Sequence, residues 1–311
     1  MRVISAAEVE AALDFDSLVE RLRQAFRRDI VVPPRHHHPI ETPDGGEATL
    51  LLMPAWQAGR HIGIKLVTVF PGNAARDLPA VMGAYLLLDG KTGSPLAMID
   101  GPMLTAKRTA AASALAAGYL ARPDCERLLM VGTGVLAPHL ILAHAAVRPI
   151  RNVLIWGRDP DKAARLAKHL NRTDFRVEAA GDLEAAARGA HIICCATLSP
   201  EPLIQGAWLQ PGQHLDLVGG FRPDMRETDD TAIRRARVFV DTRAGACTEA
   251  GDIVQPLESG VLTPDDIAAD LFELTRGARA GRRFYDQITL FKSVGTALED
   301  LAAAQLTVER V

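Results

Sequence analysis

The sequence predicts an α/β chain in which a parallel-sheet domain is inserted into an α+β domain. Three observations predict it. An apolar run of strand type, Leu128–Val131, breaks into Gly132-Thr133-Gly134 and is followed by Ala137. Further strand-like segments recur at Val153–Trp156, His191–Ala196, Leu215–Val218 and Val238–Val240, with helical sequence mostly between them. More than a hundred residues precede this unit and carry strands and helices of their own. The expected domains are 1–121 with 288–311, and 122–287, the chain crossing near Arg122-Pro123 and returning near Gln287.

Gly132 to Ala137 has the spacing G-x-G-x-x-G/A of the Rossmann dinucleotide-binding turn. The first glycine permits the tight turn, the second lets backbone approach a pyrophosphate, and the small third residue allows close helix–strand packing. The helix that begins around Val135 and Leu136 offers the partial positive charge of its N-terminus. Gly132, Thr133, Gly134, Val135 and Leu136 are therefore the candidate cofactor-binding residues.

Along the first third, Ser5–Arg28 has helical periodicity with Val9, Leu13, Leu18, Leu22 and Phe26 as its apolar stripe. Pro33-Pro34 ends regular structure before Arg35-His36-His37-His38. Strand patterns follow at Ala48–Met53, Ile62–Phe70 and Met82–Asp89, a tight turn at Asp89-Gly90, and a further strand at Pro95–Ile99. Leu104–Ala121 is alanine-rich and helical. Pro264–Arg279 reads as an amphipathic helix, and Thr289–Ala304 ends in another long helical pattern.

The bulk numbers exclude several classes. The 311 residues are 48% hydrophobic and 23% charged, with a formal net charge of −3 and no basic block, which argues against nucleic acid. No apolar run approaches the roughly 18–20 residues of a membrane span. The N-terminal sequence has early acidic residues and no secretory pattern. Four cysteines lack C-x-x-C spacing, and Cys194-Cys195 sit in an apolar strand as core thiols, so a reducing cytoplasm is expected. Three consecutive histidines cannot share one face of a strand, and no metal site is expected.

Two cations stand where the pattern is apolar. Lys65 lies in a strand with apolar residues on both faces, sharing one with Gly63, Val67 and Val69. A buried ammonium is costly unless paired or facing an anion; the alternative is an edge lysine reaching water. Arg108 shares a helical stripe with Leu104, Ala111, Ala112 and Leu115, with Lys107 as the solvated neighbour. Such an arginine suits a bidentate grip on a carboxylate or a structural ion pair. Arg35 is a third candidate.

Taken together these segments resemble the ornithine cyclodeaminase/mu-crystallin family almost end to end. The resemblance rests on Met53-Pro54, Gly63-Ile-Lys65, Thr105-Ala-Lys-Arg-Thr-Ala-Ala111, Gly132-x-Gly134, Val218-Gly219-Gly220 with Pro223-Asp224 and Arg226-Glu227, and Phe291-Lys-Ser-Val-Gly295. It implies a substrate and dimerisation domain formed by the N-terminal segment and last helix, a homodimer, and joint binding of a substrate carboxylate by Arg35, Lys65 and Arg108. Cyclodeaminases of the family carry an aspartate directly after the Gly-Gly pair, where this chain has Phe221, and a glutamate at the position aligned to Leu51. Apolar residues at both points favour the branch that reduces the cyclic ketimines Δ1-pyrroline-2-carboxylate and Δ1-piperideine-2-carboxylate, a part of proline and amino-acid metabolism. An ornithine cyclodeaminase-type lyase, an alanine dehydrogenase and a nonenzymatic NADPH-binding crystallin-like protein are the alternatives.

The second strand of the predicted Rossmann unit ends in Gly157-Arg158-Asp159. An NAD-type site usually has an acid there. Glycine followed by arginine leaves room and charge for a 2′-phosphate, which favours NADPH over NADH; Asp159 is the alternative ribose ligand. Ser293 and Gly295 are expected to line the nicotinamide pocket. Asp252 either joins them or starts a helix. Asp224 or a water would supply a proton.

Overall fold

The computed structural model describes residues 1–43, 46–171 and 174–311. The chain forms two compact units, Met1–Arg108 with Thr296–Val311, and Thr109–Gly295. The sequence reading placed the crossings at 121/122 and 287/288. Both points differ: residues 109–121 belong to the second unit, and Thr289–Lys292 pairs on both sides within the parallel sheet of that unit.

The first unit opens with β1 (Arg2–Ile4), α1 (Ala6–Ala12) and α2 (Phe15–Arg27). The single helix expected over Ser5–Arg28 is two. Ser5 and Glu8 form a reciprocal capping box on α1, and Asp14 accepts the Ser17 amide at 2.9 Å to start α2 afresh. Strands β2 (His36–Glu41), β3 (Glu47–Gln57), β4 (His61–Val69), β5 (Val81–Asp89) and β6 (Pro95–Asp100) follow. They make a six-stranded sheet in the order β1-β6-β5-β4-β3-β2, antiparallel except for the β1–β6 pair. The three histidines lie exposed on β2. Alternation gives the sheet one buried face, including Met53, Ala55, Gly63, Lys65, Tyr85, Leu87, Ala97 and Ile99. Helix α11 (Ala297–Arg310) packs against β3, β4 and α2. On the other face Val3, Leu66, Met82 and Met98 are exposed.

Helix α3 (Gly101–Leu120) is apolar nearly all round and buried along most of its length. Lys107, expected to be solvated, is largely buried with its ammonium 4.9 Å from the centre of the Phe15 ring.

The second unit contains β7 (Arg127–Val131), α4 (Leu136–Val147), β8 (Asn152–Trp156), α5 (Pro160–Leu170), β9 (Arg176–Ala179), α6 (Leu183–Gly189), β10 (Ile192–Cys195) and β11 (His214–Leu217). It continues through α7 (Asp230–Arg235), β12 (Arg237–Val240), α8 (Arg243–Glu249), α9 (Gly251–Glu258), β13 (Ile267–Asp270), α10 (Leu271–Thr275) and β14 (Thr289–Lys292). Its eight strands are all parallel, in the order β13-β12-β14-β11-β10-β7-β8-β9. The helix expected over Pro264–Arg279 is a correction. Thr263 and Asp266 close a short capped turn, Ile267–Asp270 pairs with β12 as the edge strand, and only Leu271–Thr275 is α-helical. Its helical-looking period arises from two short elements that each bury one side.

The chain order reverses at β7, with β8 and β9 to one side and β10 and β11 to the other. The crevice at the carboxyl ends of β7 and β10 is where open parallel sheets of this kind bind ligands.

Candidate functional site

In the second unit the glycine turn leaves β7 as the sequence suggests. The Gly132 amide donates to the Trp156 carbonyl at 2.8 Å, and Gly132 has φ +122°, a conformation that favours glycine. Gly134 and Val135 are exposed, and a Cβ built at Gly134 would meet nothing within 4 Å. Ala137 is buried, which gives the close packing the third small position requires. Helix α4 begins at Leu136 with no side chain capping it among the described residues. A cradle of open backbone therefore faces an unblocked helix N-terminus, the donor set a pyrophosphate needs.

At the end of β8, a Cβ on Gly157 would lie 2.8 Å from the Thr133 methyl carbon, so this position packs directly on the glycine turn. Arg158 is exposed. Asp159 caps α5, its Oδ1 accepting the Asp161 and Lys162 amides at 3.0 and 3.1 Å.

Ser293 and Gly295 follow β14. Asp241, at the end of β12, accepts the amides of Val294 and Gly295, both at 2.6 Å, and fixes this segment. Asp252 does not cap its own helix. Its Oδ1 accepts the Glu227 and Thr228 amides at 2.8 and 3.2 Å, and its Oδ2 lies 3.0 Å from Lys292 Nζ. Glu227 in turn accepts the Thr197 amide and hydroxyl and the Gly219 amide. Burial raises the Glu227 carboxyl above its ordinary value, against the pull of Lys292. This buried network ties together the chain leaving β10, β11 and β14. Asp224 sits apart from it, exposed and paired with Arg222 at 2.7 Å. That hydrogen bond holds its carboxyl below the usual range, away from a proton donor.

Phe221, after the Gly219-Gly220 pair, is 46% exposed. In the first unit Leu51 is half-buried on β3 opposite Val67.

The first unit also gathers the cationic candidates. Lys65 on β4 and Arg108 on α3 are buried and meet on one carboxylate of α11. Asp300 Oδ1 receives Lys65 Nζ at 3.2 Å and Arg108 Nε at 3.0 Å, while Arg108 NH1 donates to Glu299 at 2.7 Å. Burial pulls the Lys65 amine down from 10.5 to about 8, against Asp300, with Arg108 and Arg35 lowering it further. Arg35 is thus close enough for its charge to be felt at Lys65. Burial opposes the charges on Arg108 and Asp300, but their mutual attraction wins: Arg108 is raised and Asp300 lowered from ordinary values. Tyr85, wholly buried, stays a neutral phenol because burial and then Asp300 push its pKa up. Gly63 makes room for it; a Cβ there would overlap the Tyr85 hydroxyl.

Sequence reasoning missed Glu299 and Asp300. The signal was present, since both stand in a helix whose neighbours Ala297, Leu298 and Leu301 to Ala304 are apolar. Lys292, Glu227 and Asp241, also buried charges, went unassigned too.

The full chain, residues 1–311, matches the Ornithine cyclodeaminase/mu-crystallin family. The chain belongs to that family. One relative in it, the Δ1-pyrroline-2-carboxylate reductase of Colwellia psychrerythraea, is 38% identical over 321 residues, covering 100% of this chain and 99% of its own. Among solved structures, the Thermococcus litoralis Δ1-pyrroline-2-carboxylate reductase in complex with NADH and L-proline superposes with a TM-score of 0.92 at 32% identity, covering 100% of this chain and 97% of that one. An archaeal alanine dehydrogenase dimer with bound NAD gives a TM-score of 0.92 at 28% identity, covering 100% and 95%. Both solved relatives thus share the fold of this chain, with its Rossmann-type parallel sheet.

Proposed function

We propose that this family member is an NAD(P)H-dependent reductase of cyclic ketimines, converting Δ1-pyrroline-2-carboxylate, Δ1-piperideine-2-carboxylate or both to L-proline and L-pipecolate. The observation that carries this reading is the buried meeting of Lys65 and Arg108, which supports a site for a ligand carboxylate. Its similarity to two Δ1-pyrroline-2-carboxylate reductases along nearly the whole chain supports the reaction. Phe221 and Leu51 set it apart from a cyclodeaminase, because apolar side chains at these points cannot hold a second substrate ammonium.

In this reading Arg35, Lys65 and Arg108 hold the substrate carboxylate and fix the orientation of the imine, which is mostly a positioning contribution. Gly132, Thr133, Gly134, Val135 and Leu136 cradle the pyrophosphate, and Ser293 and Gly295 form part of the nicotinamide pocket. When bound, reduced nicotinamide supplies a hydride to the imine carbon beside the carboxylate. The nitrogen carries its proton in with the substrate, bound as the iminium, so Asp224 need not act as an acid. Arg158 with Gly157 favours NADPH, because the glycine leaves room and the exposed arginine offers charge for a 2′-phosphate.

We also read the protein as a homodimer in which a second copy covers the apolar sheet face around Val3, Leu66, Met82 and Met98. The dimeric form of the archaeal alanine dehydrogenase supports this. Four free cysteines suit a reducing cytoplasm. Among the described residues no helix is long and apolar enough to cross a membrane.

The test is nicotinamide oxidation on adding each cyclic imine, with NADPH and NADH in parallel. Turnover with either imine supports the assignment, and no turnover with any imine refutes it. Ornithine, and pyruvate with ammonia, serve as comparison substrates for the lyase and dehydrogenase readings.

A further inference from the structure

Two of the cations around the carboxylate site are already balanced. Lys65 and Arg108 are buried, and so are Glu299 and Asp300, in a cluster where every cation touches a carboxylate. Asp300 stands at its centre, with one oxygen shared between Lys65 Nζ and Arg108 Nε. Its other oxygen is buried and has no hydrogen-bond partner among the described residues. The neighbouring Tyr85 phenol adds no charge. The buried part of the cluster therefore sums to zero, two cations against two anions.

A ligand carboxylate entering such a place meets well-formed donors but little spare positive charge. One carboxylate can share the donors of Lys65 and Arg108 and draw on Arg35 from the half-buried edge. A second carboxylate on the same ligand would add to the negative charge of Glu299 and Asp300, and buried like charges repel strongly because the low dielectric screens them poorly.

We propose that Glu299 and Asp300 are specificity-determining residues that restrict this site to ligands with a single carboxylate, by holding the buried cations at zero net charge. This rests on the carboxylate-site reading above and extends it to a substrate class: imino acids with one carboxylate are accepted and dicarboxylic imines are excluded. Neither acid touches the reacting atoms. They act through Lys65 and Arg108 as positioning and charge-setting residues.

The experiment is calorimetric titration of the wild type, Glu299→Gln and Asp300→Asn with L-proline, which has one carboxylate, and L-aspartate, which has two, at fixed ionic strength with NAD+ present. The wild type is expected to bind L-proline in preference to L-aspartate. Each variant removes one buried negative charge and is expected to raise the ratio of L-aspartate to L-proline affinity about tenfold. A purely structural role would weaken both ligands together and leave the ratio unmoved, which overturns the inference, as does a wild type that binds L-aspartate as well as L-proline. Thermal melts accompany each titration, and Glu299→Gln carries the test if Asp300→Asn does not fold. Failure of the reductase reading is a separate result: a wild type that distinguishes the two ligands but oxidises no reduced nicotinamide with either cyclic imine.

Discussion

A Cβ built on Gly132 would lie 2.6 Å from the carbonyl oxygen of Ala196, in the segment that leaves β10. Gly132 is thus required by the protein itself, both for this approach and for its φ of +122°. Gly134 is different, because a Cβ there meets no protein atom within 4 Å. Gly132→Ala should destabilise the fold by about 1–3 kcal/mol and lower its melting temperature accordingly. Gly134→Ala should leave the melting temperature nearly unchanged yet weaken dinucleotide binding about tenfold or more, because the methyl group would stand where the pyrophosphate approaches. Melting curves with NADPH titrations separate the two; equal effects of both substitutions on stability would remove the assignment of Gly134 to the ligand.

Lys65 titrates at about 8 in the folded protein, below its ordinary 10.5, because burial disfavours the ammonium more than Asp300 supports it. The charged form that grips a carboxylate is present below pH 8 and is lost as pH rises through it. Substrate kcat/KM should therefore fall above about pH 8, since this ratio reports the free enzyme. Lys65→Arg keeps its charge and should carry the fall to higher pH; comparison of the two profiles with one imine cancels the substrate's own titration. Lys65→Ala should raise KM at least about tenfold and lower turnover, with NADPH affinity unchanged. Unaltered kinetics in that variant would end the carboxylate assignment.

Much of this was legible in the chain. The glycine turn and the strands β8, β10, β11 and β12 follow from short apolar runs bounded by turn residues, because a doubly covered parallel strand must be apolar on both faces. Lys65 and Arg108 were found by the same physics in reverse, as charges in apolar surroundings. What the pattern could not supply was the partner. Lys65 and Asp300 are separated by most of the chain, and pairing across such a distance leaves no periodicity to read. Edge strand β13 was hidden because Ile267–Asp270 is too short to set its own period and adjoins a helix of five residues. For Asp252 the sequence left a pocket residue and a helix start as alternatives; its carboxylate caps a different segment and pairs with Lys292.

Cofactor choice should follow the residues after β8. Arg158→Ala should weaken NADPH binding about tenfold while leaving NADH nearly unaffected, as expected for loss of one charge-assisted contact to a phosphate. Converting the site to NADH needs more than an added acid. Gly157→Asp alone would push against the Thr133 methyl at 2.8 Å, so Gly157→Asp with Thr133→Ala is the combination that should favour NADH. Fluorescence titration with both nucleotides measures each step, and an Arg158→Ala protein with unchanged NADPH affinity would show that this arginine is only a solvated loop residue.

His214 gives the fold a pH dependence of its own. It is wholly buried on β11, with Nδ1 3.0 Å from the Thr289 hydroxyl. Burial, offset in part by Asp216, lowers its pKa from 6.5 to about 3. Between these values the unfolded chain holds a proton on this imidazole that the folded chain does not. Stability from this residue is therefore complete above pH 6.5 and is lost as the pH falls toward 3, at up to about 1.4 kcal/mol per pH unit. His214→Asn retains an amide that can meet Thr289 and has nothing to titrate there. It should be less stable than the wild type at pH 7, through the space it leaves, and should lose stability less steeply on acidification. Urea melts of both proteins at several pH values between 7 and 5 give the difference in slope, and parallel slopes would mean that the acid sensitivity of this fold lies in its carboxylates instead.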